Sequence, residues 1–264
     1  MQLYIGCSGW SYETWLGRFY PKEVEARPYI EYYSKVFDYV EIDSTSHKMP
    51  DRFRVIRWTK LTPDNFRFTA KFPRVITHDK SLAITDEEIF PFFDVMQPLK
   101  EKLLCLLLQL PSSLEAEEGM EALQTMIIPR LSPDYRYAIE VNDKSWFKKE
   151  FYKLLSKHNI CLVWSQQNTL QTPPEITTDF IYIRLIGDRS IDDKDFGTIE
   201  KDRIKEMEKW ASRVKDAKNK VAFGIVAANN HYTGFGPATA NTFRKMLGMK
   251  EVVWEEMKQG RIDQ

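Results

Sequence analysis

Residues 38–50 read DYVEIDSTSHKMP. Val40 and Ile42 are strand formers, and Glu41 and Asp43 interleave with them. Successive side chains on a strand point to opposite faces, so this stretch aims two carboxylates in one direction and two aliphatic side chains in the other. The strands of a parallel α/β sheet are covered on both faces and read as continuous apolar runs. Acids on one side of such a strand therefore mark a place where the covering stops.

The same reading extends along the chain. Strands are expected at 3–7, 39–43, 66–71, 103–110, 137–141, 161–165, 180–187 and 221–228. Helices are expected at 28–37, 50–60, 85–102, 118–128, 148–158 and 198–217, with a last one opening near Pro237 and capped by Gly248. Thr85 with Glu88 has the spacing of a capping box. The link QQNTLQTPPEITTD, 166–179, carries no helical pattern. Eight strands alternating with about seven helices predict a parallel sheet. At 264 residues the economical closure is one domain, 1–264, forming a TIM-type (β/α)8 barrel that lacks a regular helix between strands 6 and 7. A doubly wound open sheet is the competing arrangement.

Parity then places polar groups late in several strands. Glu41 and Asp43, Lys71, Gln109, Glu140 and Arg184 all fall near C-terminal strand ends, where barrel enzymes keep their chemistry. Three acids face two bases. The unbalanced carboxylate makes Glu41 and Glu140 candidates for acid/base catalysis with Lys71, while Arg184, Asp43 and Gln109 are candidate substrate ligands. The same cup also reads as a structural salt-bridge network. After the last strand, Asn229, Asn230 and His231 can hydrogen-bond a ligand, and the Gly234–Pro237 turn opens a helix whose N–H groups suit an anion. Trp10 and Trp146 follow strand ends closely enough to stack on a ligand. His47 and His78 lie in loops beyond strands two and three, with His78 near Arg74.

Lys+Arg and Asp+Glu both number 38, a balance that argues against a general polyanion binder. Three scattered cysteines give neither a disulfide framework nor a zinc pattern, and no cofactor motif is complete. Four histidines without close pairing argue against a multi-zinc centre, and a single carboxylate-bound divalent metal stays open. No secretory leader or spanning segment is visible, which predicts a cytoplasmic protein with no membrane partner.

Several stretches together resemble domain-of-unknown-function family 72, the YecE-like family: GCSGWSYETWLGRFYP (6–21), VEIDSTSHKMP, FRFTAKFPRVITH (66–78), LLQLPSSLE (107–115), AIEVNDKSW (138–146), YIRLIGD (182–188) and NNHYTGFGPATAN (229–241). The resemblance spans nearly the whole chain and implies a TIM-type barrel, with no activity attached. Glu41, Lys71, Glu140 and Arg184 match the family pattern. Asp43 stands where the family usually has Asn, Ser46 and His47 replace an aromatic pair, Asn142 and Asp143 replace a frequent Arg-His, and Ile186 replaces a frequent His.

The expected function is an enzyme acting on a small anionic substrate, phosphorylated or sugar-like, by hydrolysis, lyase chemistry or isomerisation. One alternative is a nucleic-acid-binding or repair-nuclease-like barrel, which rests on fold analogy. The other is a non-catalytic binding or scaffold protein.

Overall fold

The computed structural model describes residues 1–22, 29–46, 48–79, 82–167 and 169–254. Expectations for Pro28 and His47 fall outside these residues. Eight parallel strands close into a barrel in sequence order, so the open-sheet alternative is excluded. They are β1 (Gln2–Ser8), β2 (Tyr39–Ile42), β3 (Arg67–Lys71), β4 (Leu103–Gln109), β5 (Tyr137–Glu140), β6 (Ile160–Gln167), β7 (Phe180–Gly187) and β8 (Phe223–Ala228). All eight expected strands are present. The helices are α1 (Tyr29–Val36), α2 (Arg52–Leu61), α3 (Asp86–Met96), α4 (Ala116–Ala122), α5 (Lys149–Lys157), α6 (Ile204–Ala217), α7 (Asn230–Thr233) and α8 (Gly236–Met246).

Strand alternation divides the core in two. Tyr4, Tyr39, Leu107, Val163, Tyr182 and Ile225 belong to a cluster that fills the barrel. Ile5, Val40, Ile42, Leu106, Ile139 and Ile183 point outward into the layer shared with the helices. The helix expected to run to 102 ends at Met96, and a tighter turn covers Gln97–Lys102. Pro98 has no N–H to donate back to Asp94 O, which accepts from Arg52 instead, and Lys100 then adopts a left-handed backbone (φ 48°). The helix expected from 198 starts at Ile204. Between β6 and β7 there is no helix among the described residues. The link doubles back along β6 instead: Thr172 N–H donates to Ser165 O at 3.1 Å, and the Trp164 indole donates to Glu175 O at 2.8 Å.

One side chain is built into the barrel wall. The Tyr33 hydroxyl, reaching in from α1, accepts from Cys7 N–H at 2.7 Å and donates to Tyr39 O at 3.0 Å. It stands in for a ladder bond between β1 and β2. Burial pushes its ionisation well above the usual phenol range, so it remains a donor. Gly6 is required beside it, because a Cβ there would lie 2.0 Å from Tyr39 O. A Tyr33→Phe variant leaves a buried N–H and a buried C=O unpaired. The expected cost is about 1–3 kcal/mol, or about 2–4 °C of Tm per kcal/mol for a chain of this size. A melting temperature within about 1 °C of wild type would contradict this account of the β1–β2 seam.

Candidate functional site

The polar residues expected from strand parity converge at the C-terminal end of the barrel, around Arg184. Its guanidinium donates to Glu41 through Nε at 2.8 Å and through Nη2 at 2.8 Å, and its Nη1 donates to Glu140 Oε2. The three side chains are at most 2% exposed. Burial alone would push the Arg184 guanidinium down; Glu140 and Glu41 outweigh that and hold it well above its ordinary value. In register with Arg184, β8 carries the small residue Ala227, which in turn pairs with Gly6 on β1.

The carboxylates of this floor have further partners. Glu41 also accepts from the hydroxyls of Ser8 and Tyr182. Glu140 accepts from Ser165 Oγ at 2.5 Å and from Gln109 Nε2 at 2.6 Å. Below them, Tyr182, Thr69 and Tyr39 close a hydroxyl triangle with sides of 2.8, 2.8 and 3.1 Å. Burial, reinforced by the Glu41 charge, keeps Tyr182 and Tyr39 protonated far above neutral pH. Ser8 and Ser165 complete this floor, and both fall late in their strands in phase with the inward residues. The same parity argument, applied to β1 and β6, finds them.

Above this floor lies a cavity of about 100 Å³, walled by Asp43, Ser46, Lys71, Arg74, His78, Gln109, Arg184, Arg189 and Asn229 among others. Lys71 Nζ lies 2.9 Å from Asp43 Oδ1, and Arg184 Nη2 lies 3.9 Å from the same oxygen. His78 Nδ1 lies 2.7 Å from Thr77 Oγ1. Neither Glu41 nor Glu140 lines the cavity. The balance of three acids against two bases also changes. Arg74 and Arg189 join Lys71 and Arg184, so among the described residues four cations face three carboxylates. A second cavity of about 580 Å³ opens outward, sharing Arg74, His78, Gln109, Ile186 and Arg189 with the first. Arg189 adopts a left-handed backbone (φ 56°). Its neighbour Asp188 is tied to Lys201 at 2.5 Å and Arg203 at 3.0 Å, and hydrogen bonds from Lys201 and then Ser190 hold that carboxyl below its usual range.

Four sequence-predicted positions lie elsewhere. Trp146 is fully buried: its indole donates to Leu114 O at 2.8 Å, and it packs on Phe151 and over Gly119. It is a core residue, not a stacking platform at the mouth. His231 turns toward the loop after β7, with Nδ1 3.0 Å from Ile191 O and its ring edge-on to Phe196, and it lines neither cavity. Asn230 is buried and its Oδ1 accepts from Gly236 N–H at 2.8 Å. That bond occupies an N–H at the start of α8, the helix expected to offer its N-terminus to an anion. Trp10 sits edge-on to Trp58 at 5.2 Å and borders a separate groove of about 190 Å³ with Tyr12 and Asp43. Among the described residues, no group of three or more His, Cys, Asp or Glu side chains could hold a metal ion, and no helix is long and apolar enough to cross a membrane.

The barrel, its charged floor and the motifs that build them match one family model, described as "Protein of unknown function DUF72", over residues 4–261. The chain belongs to the DUF72 family. This DUF72 protein is 31% identical over 147 residues to the UPF0759 protein YecE of Escherichia coli K12, a match covering 56% of this chain and 51% of that protein. It is 27% identical over 157 residues to the UPF0759 protein YunF of Bacillus subtilis, covering 57% and 54%. The chain thus spans about half the length of the curated relatives it matches. Among solved structures, the DUF72 protein TM1631 of Thermotoga maritima superposes with a TM-score of 0.78 at 28% identity, covering 94% of this chain and 100% of that one. The DUF72 protein EF0366 of Enterococcus faecalis has the same fold, with a TM-score of 0.76 at 22% identity over 94% and 96% of the two chains. Asp43, Ser46, Asn142 and Ile186 line one or both cavities of this DUF72 protein.

Removing Arg184 tests the floor. Arg184→Met leaves two buried carboxylates without their counter-ion, and breaking a buried pair costs about 3–5 kcal/mol. Lys71→Met, whose partner Asp43 is 29% exposed, is expected to cost clearly less. Urea unfolding of both variants checks the order; equal losses would show that burial does not set the difference.

Proposed function

We propose that this protein is an enzyme that binds a small anionic substrate in the inner cavity and moves protons with groups on the cavity wall. The observation that carries the reading is the division of labour among the charges. The carboxylates of Glu41 and Glu140 are consumed by Arg184 and its hydroxyl and amide neighbours, whereas Lys71, Arg74 and Arg189 reach the cavity. Among the described residues, four cations over three carboxylates leave the mouth one positive charge in excess, and an anionic group offsets it. Burial strengthens that attraction, because the walls exclude water that would screen it.

Glu41 and Glu140 then act as anchors that aim Arg184. Among the described residues, His78 and Asp43 bring titratable groups to the wall. Histidine exchanges protons near neutral pH, and a carboxylate beside Lys71 can take or return one during turnover. Where Asp43 replaces the family's usual Asn, this part of the chemistry belongs to this chain and not to the family at large.

The test has two stages. Calorimetric titration at low salt with inorganic phosphate should show binding by wild type and at least tenfold weaker binding by Lys71→Met. A panel of phosphate monoesters followed by phosphorus NMR should then show conversion of at least one ester. His78→Gln or Asp43→Asn should slow that conversion by about 10²-fold or more, the usual share of acid/base catalysis. Absence of binding by inorganic phosphate, by phosphate esters and by a carboxylate such as gluconate would overturn the anion reading. Turnover within twofold of wild type in both variants would overturn the assignment of proton transfer.

A further inference from the structure

The two cavities at the barrel mouth differ in chemistry, and the difference orients a ligand. The inner one, at about 100 Å³, is smaller than the roughly 300–1,000 Å³ usual for a whole small-molecule site, but has room for a single oxyanion group. Its cations surround that space. The outer one, at about 580 Å³, is of substrate size. Beyond the shared neck its wall is made of amides and hydroxyls, with Asn142, Gln167, Ser112, Ser113 and Thr169 beside the Asp188 carboxylate. Among the described residues, no Phe, Tyr or Trp side chain lines it.

The amides are held in place from behind. Asn142 Nδ2 donates to Leu110 O at 2.7 Å, and its Oδ1 accepts from Gln167 Nε2 at 2.6 Å. Gln167 Nε2 also reaches Ser165 Oγ at 3.3 Å, and Ser165 in turn donates to Glu140 in the floor. Gln167 Oε1 accepts no hydrogen bond from any described residue, so it offers a fixed acceptor at the wall. Beside Gln167, past its partner Gly187 on β7, the tie between Asp188 and its two cations anchors the turn that carries Arg189.

Amides and hydroxyls that both donate and accept match the hydroxyls of a sugar or polyol, which do the same. A flat base gains most from an aromatic face, and the described residues of the outer wall provide none. The Trp10 and Tyr12 groove does carry aromatics, but it shares only Asp43 with the inner cavity, whereas the outer cavity shares Arg74, His78, Gln109, Ile186 and Arg189. Resting on the anion site proposed above, we infer that the ligand is a polyhydroxylated compound with one terminal oxyanion, bound anion-inward, whose hydroxyls are read by Gln167 and Asn142.

Titrations with inorganic phosphate, ribose 5-phosphate, glucose 6-phosphate, gluconate and adenosine monophosphate test this on the full chain. At least one of ribose 5-phosphate, glucose 6-phosphate and gluconate should bind tenfold or more tighter than inorganic phosphate. A phosphate ester in that place identifies the oxyanion as phosphoryl, and gluconate identifies it as carboxyl. Adenosine monophosphate should bind no tighter than ribose 5-phosphate. Gln167→Met should weaken the best polyhydroxylated ligand at least fivefold more than it weakens phosphate. The ranking by wild type needs no variant, so it stands even where Gln167→Met fails to fold. Phosphate binding with no gain from the hydroxylated body, or equal weakening of both ligands by Gln167→Met, overturns this inference and leaves the anion site intact. Adenosine monophosphate binding tenfold tighter than ribose 5-phosphate moves the body to the Trp10 groove and overturns it too. Binding of none of the five overturns both readings.

Discussion

The guanidinium of Arg184 holds together two acids from different sides of the barrel, Glu41 on β2 and Glu140 on β5. Taking three charges out of water costs several kcal/mol per ion, and attraction offsets it only when the geometry is good and the leftover lone pairs are satisfied. Both conditions are met. The contact to Glu41 is bidentate, the strongest form of this pairing, and Ser8, Tyr182, Ser165 and Gln109 fill the remaining positions. Polarity continues one layer down through Thr69 and Tyr39, where each hydroxyl has a partner. The barrel interior is therefore apolar in its lower part and hydrogen-bonded in its upper part.

This floor determines what the mouth can offer. Because Arg184 takes up Glu41 and Glu140, the carboxylate left on the inner cavity wall, among the described residues, is Asp43, paired with Lys71. Three further cations, Arg74, Arg184 and Arg189, share that wall. One barrel scaffold accommodates different ligands by changing what lines its mouth, since fold and site are separable.

Much of this architecture is legible in the amino-acid sequence. All eight strands, the helix-free link between β6 and β7, and the inward direction of Glu41, Lys71, Gln109, Glu140 and Arg184 follow from alternation along single strands. The differences lie in the loops. Trp146 follows β5 by six positions, a spacing that suits a mouth residue, yet the turn that carries it swings the indole onto α4 and α5. His231 and Asn230 follow β8 closely as well, and a four-residue helix turns one toward the β7 loop and the other under α8. Strand parity is geometric and survives without context; the direction of a loop side chain depends on what packs against it.

The sequence by itself determined the eight strands and the composition of the floor, because both rest on a two-residue period that each strand carries locally, whereas closure of the sheet into a barrel was decided by the tertiary structure. Only the tertiary structure decided which acids Arg184 takes up and which line the inner cavity, and which cations, among the described residues, gather there. Arg74 follows β3 and Arg189 follows β7, and their charges combine only once the sheet closes on itself. A Coulomb interaction depends on distance in space, which sequence separation does not report.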